Sequence, residues 1–194
     1  MIPELGHFAL IIAFAIAIVQ SVVPIIGAAK NDTALISMAR PTALAQFLFV
    51  GISYAALTHA FIVHDFSVLY VSNHSNLVQP LIYRISGVWG SHEGSLLLWA
   101  LILAGWTVAV AVYSRNLPEI LMARVLAVMG MISTGFLAFM LFTSNPFTRI
   151  FPAPLDGKEL NPLLQDPGCL LYTSDAADDL LQVLFSGVGG GLIG

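Results

Sequence analysis

Charged residues fall in clusters along the 194-residue chain, and long apolar runs separate the clusters. Four stretches contain no Asp, Glu, Lys or Arg: Leu5–Ala29, Pro41–His64, Gly94–Ser114 and Val125–Thr148. Each has at least twenty residues. A helix rises about 1.5 Å per residue, so about 20 residues cross a hydrocarbon core about 30 Å thick. Unpaired backbone groups in lipid cost several kcal/mol each, which makes a helix the form such a run must take. The pattern predicts an all-α, polytopic membrane bundle with four transmembrane helices, over 5–27, 42–63, 95–114 and 119–143. Pro24 lies late in the first run and is expected to kink it. Pro41 and Pro118 lie near helix starts, where a missing N–H costs little. The first run reads as a retained span and not as a cleaved signal peptide. Glu4 stands where a basic region belongs, and no Ala-x-Ala site follows a short apolar core.

Composition narrows the function classes. Only 9% of residues are charged and 58% are hydrophobic, whereas a soluble domain carries about 25% charged residues. Seven Lys and Arg against eleven Asp and Glu leave a net charge of −4, which excludes an electrostatic nucleic-acid binder. The one cysteine excludes a disulfide framework and any multi-cysteine metal site. Membrane lipid is the expected surrounding. Four spans put both termini on one side. The segments 28–41 and 114–124 carry Lys30, Arg40, Arg115 and Arg124, against Arg84, Arg149 and Lys158 on the other side. This slim positive-inside bias places the termini and the 64–93 and 144–168 segments outside, on the periplasmic face of a Gram-negative cell.

The 64–93 segment holds most of the candidate chemistry. It contains three of the five histidines and the aromatics Phe66, Tyr70, Tyr83 and Trp89. One reading is an aromatic belt at headgroup level. The other is a shallow outward platform on which a flat apolar ligand stacks. Arg84 would then pair with an acidic edge and a histidine would reach a central metal. His92 and Glu93 open the third span at the membrane edge, where the helix dipole stabilises the carboxylate and an ionisable pair raises the expectation of function. Ser91 is placed to cap that helix, and Gly94 and Ser95 to allow close packing. His-Glu-Gly-Ser lacks the second histidine of a zinc motif. His59 and His64, five residues apart on one helix, would point about 140° away from each other, so they make no chelating face. His7 reads as a packed or interfacial histidine, and Arg124 as one that snorkels to the inner surface. Asn73-His74-Ser75 fits a glycosylation triplet without meaning in a bacterium, and Gly189, Gly191 and Gly194 fit a phosphate-loop pattern with no helix following.

Several runs carry a resemblance. They are Pro-Glu-Leu-Gly-His (3–7), Asp-Phe-Ser-Val-Leu-Tyr-Val (65–71), Tyr-Arg-Ile (83–85) and Trp-Gly-Ser-His-Glu-Gly-Ser-Leu-Leu-Leu-Trp (89–99). Ala-Arg-Val-Leu-Ala-Val-Met-Gly (123–130), Thr-Ser-Asn-Pro-Phe (143–147) and Leu-Asn-Pro-Leu-Leu-Gln-Asp-Pro-Gly (160–168) continue the series. In this order they make residues 1–168 resemble the N-terminal transmembrane part of CcmF-type proteins, the haem lyases of cytochrome c maturation. NrfE-type proteins, which serve nitrite reductase assembly, are close relatives. One departure is His64, where the family carries Asn before Asp-Phe. The resemblance implies a multi-pass bacterial inner-membrane protein that takes haem from a periplasmic haem chaperone and attaches it to apocytochrome c. It also implies apocytochrome-handling subunits of the maturation complex as partners, and a b-type haem held in the membrane. The family's tryptophan-rich segment and its haem-binding histidines lie beyond the point where this chain leaves the pattern, at Gly168. No catalytic residue and no metal ligand is carried over. Arg84, Trp89, His92, Glu93 and Trp99 are the expected support of a haem cavity. The resemblance makes the fragment inactive alone. The alternative is a non-enzymatic docking or packing subunit of a haem- or quinone-linked membrane complex. A transporter would need paired ionisable residues in mid-span, and no Asp or Glu lies there.

After Gly168 the character changes. Cys169-Leu-Leu-Tyr-Thr-Ser-Asp-Ala-Ala-Asp178 is the translation of a transposase-type sequencing adapter, TGT CTC TTA TAC ACA TCT GAC GCT GCC GAC. Residues 169–194 are therefore expected to be a non-native tail. Setting them aside removes Asp175, Asp178, Asp179 and the only cysteine, and the net charge of the rest is −1.

Overall fold

Four long helices carry the chain back and forth. In the computed structural model, residues 1–114 and 117–158 are described. Arg115, the 160–168 run and the 169–194 tail lie outside the described residues. The elements are α1 (Ile2–Lys30), α2 (Thr33–Ser37), α3 (Ala39–Ile62), α4 (Leu69–His74), α5 (Leu81–Gly87), α6 (His92–Tyr113) and α7 (Glu119–Phe142). Helices α1, α6, α7 and the α2–α3 stretch are each long and apolar enough to cross a membrane. The four predicted spans are thus present as α1, α3, α6 and α7, with every end within three residues of the expected one. Pro118 is the N-cap of α7 and Pro41 falls in the first turn of α3, as their missing N–H requires. Pro24 does not end α1, which continues to Lys30 with the ring buried against its neighbours.

The helices form a ring in which α1 packs on α3 and α7, α3 packs on α6, and α6 closes onto α7. Small residues are frequent on the inner faces, beside larger ones such as Leu10, Val50 and Leu137. Ala9, Ala13 and Ala17 of α1, Ala39 and Ala43 of α3, Ala100 and Ala104 of α6, and Ala123, Ala127 and Gly130 of α7 turn inward. Ile, Leu, Val and Phe side chains occupy much of the outer surface. Lipid is as apolar as a core, so small inner residues hold such helices by letting backbones approach, and polar side chains add cross-links. Gln20, fully buried on α1, donates from Nε2 to the Leu126 carbonyl of α7 at 3.0 Å.

The two ends of the bundle differ. At one end α1 closes at Asn31, whose φ of 54° suits an Asn C-cap, and Asp32 Oδ1 caps α2 by accepting from the Ala34 N–H at 2.9 Å. Here Arg40 Nε lies 3.2 Å from Met122 Sδ. At the other end a cap is built from the α3–α6 connection and the segment that follows α7. The two strap together through backbone bonds: Leu69 N–H to the Thr148 carbonyl at 2.8 Å, Ile150 N–H to Ser67 at 2.9 Å, and Lys158 N–H to Ser72 at 2.7 Å.

Candidate functional site

The capped end gathers 3–7, 65–71, 83–85, 143–147 and the start of 89–99 among the runs that carried the resemblance. Arg149, seven residues past α7, reaches two of them. Its guanidinium meets Glu4 of α1 and the Ser67 hydroxyl, and lies 3.4 Å from the Asp65 carboxylate. Asp65 in turn accepts from the Ser67 hydroxyl. Neighbouring residues of the same segment hold two histidines. Asn145 Nδ2 lies 3.3 Å from His7 Nε2, and Ser144 Oγ lies 3.1 Å from His92 Nδ1. The His7 ring stacks on Phe147 at 6.3 Å, and the His92 ring meets the edge of Phe139 at 5.8 Å. His92 is exposed at the rim, and among the described residues its Nε2 has no partner. Glu93 beside it is half-buried and accepts from the Ser91 hydroxyl at 3.5 Å. Trp89 is partly exposed on the same rim.

Several expectations for the 64–93 segment change. Phe66 and Tyr70 form neither a headgroup belt nor an open platform, because both are buried in the core cluster of the cap. The Tyr70 hydroxyl donates to the Val88 carbonyl at 3.0 Å, its ring meets Phe61 edge-on at 5.3 Å, and burial holds its phenol far above the ordinary range. Arg84 is not held ready for an acidic ligand edge. It donates from Nε to the Gln79 carbonyl at 2.9 Å and from Nη1 to the Ile62 carbonyl at 3.0 Å, so it closes the carbonyl end of α3. Ser91 does occupy the N-cap of α6, but no backbone N–H bonds to its hydroxyl. Gly94 packs as closely as expected: a Cβ there would overlap the Val88 carbonyl oxygen. His64 lies beyond the end of α3, in a turn with φ 54°. A helical-wheel angle to His59 therefore does not apply to it. Burial, then the Arg84 charge, holds its imidazole below the usual histidine value.

The five expected support residues thus divide. Trp89, His92 and Glu93 share the rim, and Arg84 serves the fold of the cap. Trp99 lies two turns into α6, in an apolar furrow between α6 and α7. The sequence reading assigned no role to Glu4, Asp65, Ser144, Asn145 or Arg149. The available signal was that each falls in, or two residues beyond, a resembling run, together with the oddity of an acid opening the first span.

Among the described residues no three His, Cys, Asp or Glu side chains cluster for a metal. The cavities of about 310, 370 and 390 Å³ along the helices have no histidine in their linings. Those cavities do not fit a resident haem with axial histidines.

The similarity to known proteins agrees with the geometry. A family described as Cytochrome C assembly protein matches residues 89–174, from the rim tryptophan onward. Over 173 residues the chain is 58% identical to the cytochrome c-type biogenesis protein CcmF of Pseudomonas aeruginosa, covering 89% of this chain and 26% of that one. The likeness is that of a CcmF-type fragment. The CcmF of Escherichia coli is 49% identical over 173 residues, with 89% and 27% covered. The NrfE of Haemophilus influenzae is 41% identical over 172 residues, also with 89% and 27% covered. A solved structure titled Cytochrome c Heme Lyase CcmF superposes with TM-score 0.70 and 27% identity, across 76% of this chain and 25% of that one. This CcmF-type chain therefore spans about a quarter of the length of the curated relatives it matches.

Proposed function

We propose that residues 1–168 build the outward-facing entry of a CcmF-type haem lyase, in a bacterial inner membrane with the capped end on the periplasmic side. The protein's work is to receive haem from a periplasmic chaperone and attach it to apocytochrome c, in company with the apocytochrome-handling subunits. Haem is the substrate at this entry. The carrying observation is the rim at the start of α6, where the exposed His92 is held by Ser144 of the segment that follows α7, with Glu93 and Trp89 beside it in the chain and the Glu4–Arg149–Asp65 network at the same end of the bundle. His92, with Nδ1 fixed by Ser144, presents Nε2 as a donor or acceptor at the edge of an aromatic surface. Glu93 stands in the first turn of α6, where the helix dipole favours an acidic side chain. The nearer likeness to CcmF than to NrfE, 58% against 41% identity, favours the cytochrome c branch. We also propose that 169–194 is foreign sequence; reads across the Gly168 codon of the source DNA decide it.

The test is a chimaera in which residues 1–168 replace the matching quarter of the Pseudomonas aeruginosa relative. Holocytochrome c, read by haem staining of denatured protein, is expected from the chimaera. A loss of about tenfold is expected in His92→Ala, the size of one lost positioning contact. A chimaera that accumulates in the membrane yet matures no cytochrome, or a His92→Ala variant with full yield, overturns the proposal.

A further inference from the structure

Two cavities of about 310 and 370 Å³ share Ile132 and Phe136 and merge into one furrow on the outer side of α6 and α7. From α6 it takes Leu96, Trp99 and Trp106, and from α7 Ile132, Gly135 and Phe136. It runs along two helices that are each long and apolar enough to cross a membrane. Trp99 and Trp106 lie seven and fourteen residues into α6 from His92, about 10 and 21 Å along a helix that rises about 1.5 Å per residue.

A lipid-facing surface does not need these residues. Tryptophan favours the headgroup level, where its N–H meets water. Here both indoles lie about 10 Å inside the ends of α6, and they are 46% and 65% exposed. Among the described residues neither indole N–H has an acceptor. Acyl chains supply none, and an unpaired N–H in hydrocarbon costs several kcal/mol. The floor of the furrow is Gly135, where an added Cβ would meet nothing within 4 Å. A small residue at the bottom of an open groove is what a close helix–helix approach uses. The curated relatives continue for about three quarters of their length beyond the matched part, and so have chain with which to fill it.

We infer that the α6–α7 furrow is the docking face for a transmembrane helix from the part of the CcmF-type protein that this chain does not span. That helix carries hydrogen-bond acceptors, such as Ser, Thr or Asn, about seven residues apart, one for each indole. The inference rests on the likeness to CcmF-type proteins and not on the haem reading.

The test places a photoreactive benzoyl-phenylalanine at position 106 of the chimaera, and separately at 132, with position 22 on the outer face of α1 as control. Membranes are irradiated and the cross-linked peptides sequenced by mass spectrometry. At 106 and 132 the expected products join a single apolar helix of the appended part, at least about tenfold above the control, and that helix bears the paired acceptors. The 194-residue chain alone is expected to give lipid adducts at both positions. Lipid adducts alone in the chimaera overturn the inference. So does a cross-linked homodimer, which would make a second copy the occupant, or a cross-linked helix without acceptors. Cytochrome maturation by the same chimaera is scored separately, so failure of one reading is distinguishable from failure of the other.

Discussion

Replacing Gly94 with alanine adds one methyl group where the cap meets the start of α6. The new Cβ would lie 2.6 Å from the Tyr70 hydroxyl oxygen and 2.9 Å from the Val88 carbonyl carbon, and would overlap the Val88 oxygen. Ordinary contact is about 3.5–4.0 Å, so the Tyr70 hydroxyl must withdraw by about 1 Å and the Val88 carbonyl oxygen by about 2 Å. Neither has room. Val88 is fully buried and Tyr70 is 4% exposed, and the 3.0 Å bond between them would break. Overpacking costs about 1–3 kcal/mol, and stranding a buried carbonyl costs about 1–3 kcal/mol more. A loss of about 2–6 kcal/mol is expected. The assay is unfolding of the purified chain in micelles by increasing denaturing detergent, followed by circular dichroism. Gly135→Ala is the control, because no atom lies within 4 Å of its added Cβ; it should be neutral or gain up to about 1 kcal/mol from helix propensity. Tyr70→Phe combined with Gly94→Ala should recover only part of the loss, since the Val88 carbonyl remains in the way. A Gly94→Ala chain as stable as Gly135→Ala would refute the packing argument.

Other expected outcomes follow from the cap. His64→Asn should keep or raise stability by up to about 1 kcal/mol, because Asn suits a positive φ better than His, whereas His64→Val should be worse than either; the same detergent titration reads both. His64 is held below its ordinary value of 6.5 by burial and by Arg84, so its neutral form supports the fold. That support is complete above about pH 6.5 and is lost as pH falls through it toward the lower folded value. The unmodified chain should therefore lose more stability between about pH 7 and 5 than His64→Asn does. Arg149→Ala removes one cation from two carboxylates at a partly exposed site, and about 1 kcal/mol is expected, seen as faster proteolysis after residue 149 with a weaker salt dependence. Tyr70→Phe alone should cost about 1–3 kcal/mol by orphaning the Val88 carbonyl, measured by thermal unfolding.

The legible part of the fold lay in the charge-free runs. A run of more than twenty apolar residues has one low-energy form in lipid, so four helices and their rough ends followed from Leu5–Ala29, Pro41–His64, Gly94–Ser114 and Val125–Thr148. The cap was less legible. Its residues obey no period, and aromatic side chains such as Phe66 and Tyr70 serve equally as core, belt or ligand platform until a partner surface is known. Arg84 looked like a ligand hook because an arginine in a loop usually is solvated. Only the fold shows that the carbonyl ends of α3 and of the Gln79 turn lie within its reach. His92 and Glu93 stood out from sequence because they open a span, but Ser144 and Asn145, fifty residues on, did not.

By itself, then, the sequence determined the number of spans, the exclusion of a soluble or nucleic-acid-binding protein, and the CcmF-type likeness, since these rest on local composition and ordered runs. Tertiary structure decided which faces meet. Inside a membrane both faces of a helix are apolar, so hydropathy carries no inward direction. Packing of small residues such as Ala13 and Gly130 and of larger ones such as Leu10, Leu57 and Leu137 set the ring α1–α3–α6–α7. The same packing drew Glu4, Asp65 and Arg149 to one rim from positions more than sixty residues apart, and left Trp99 and Trp106 facing outward along an open furrow.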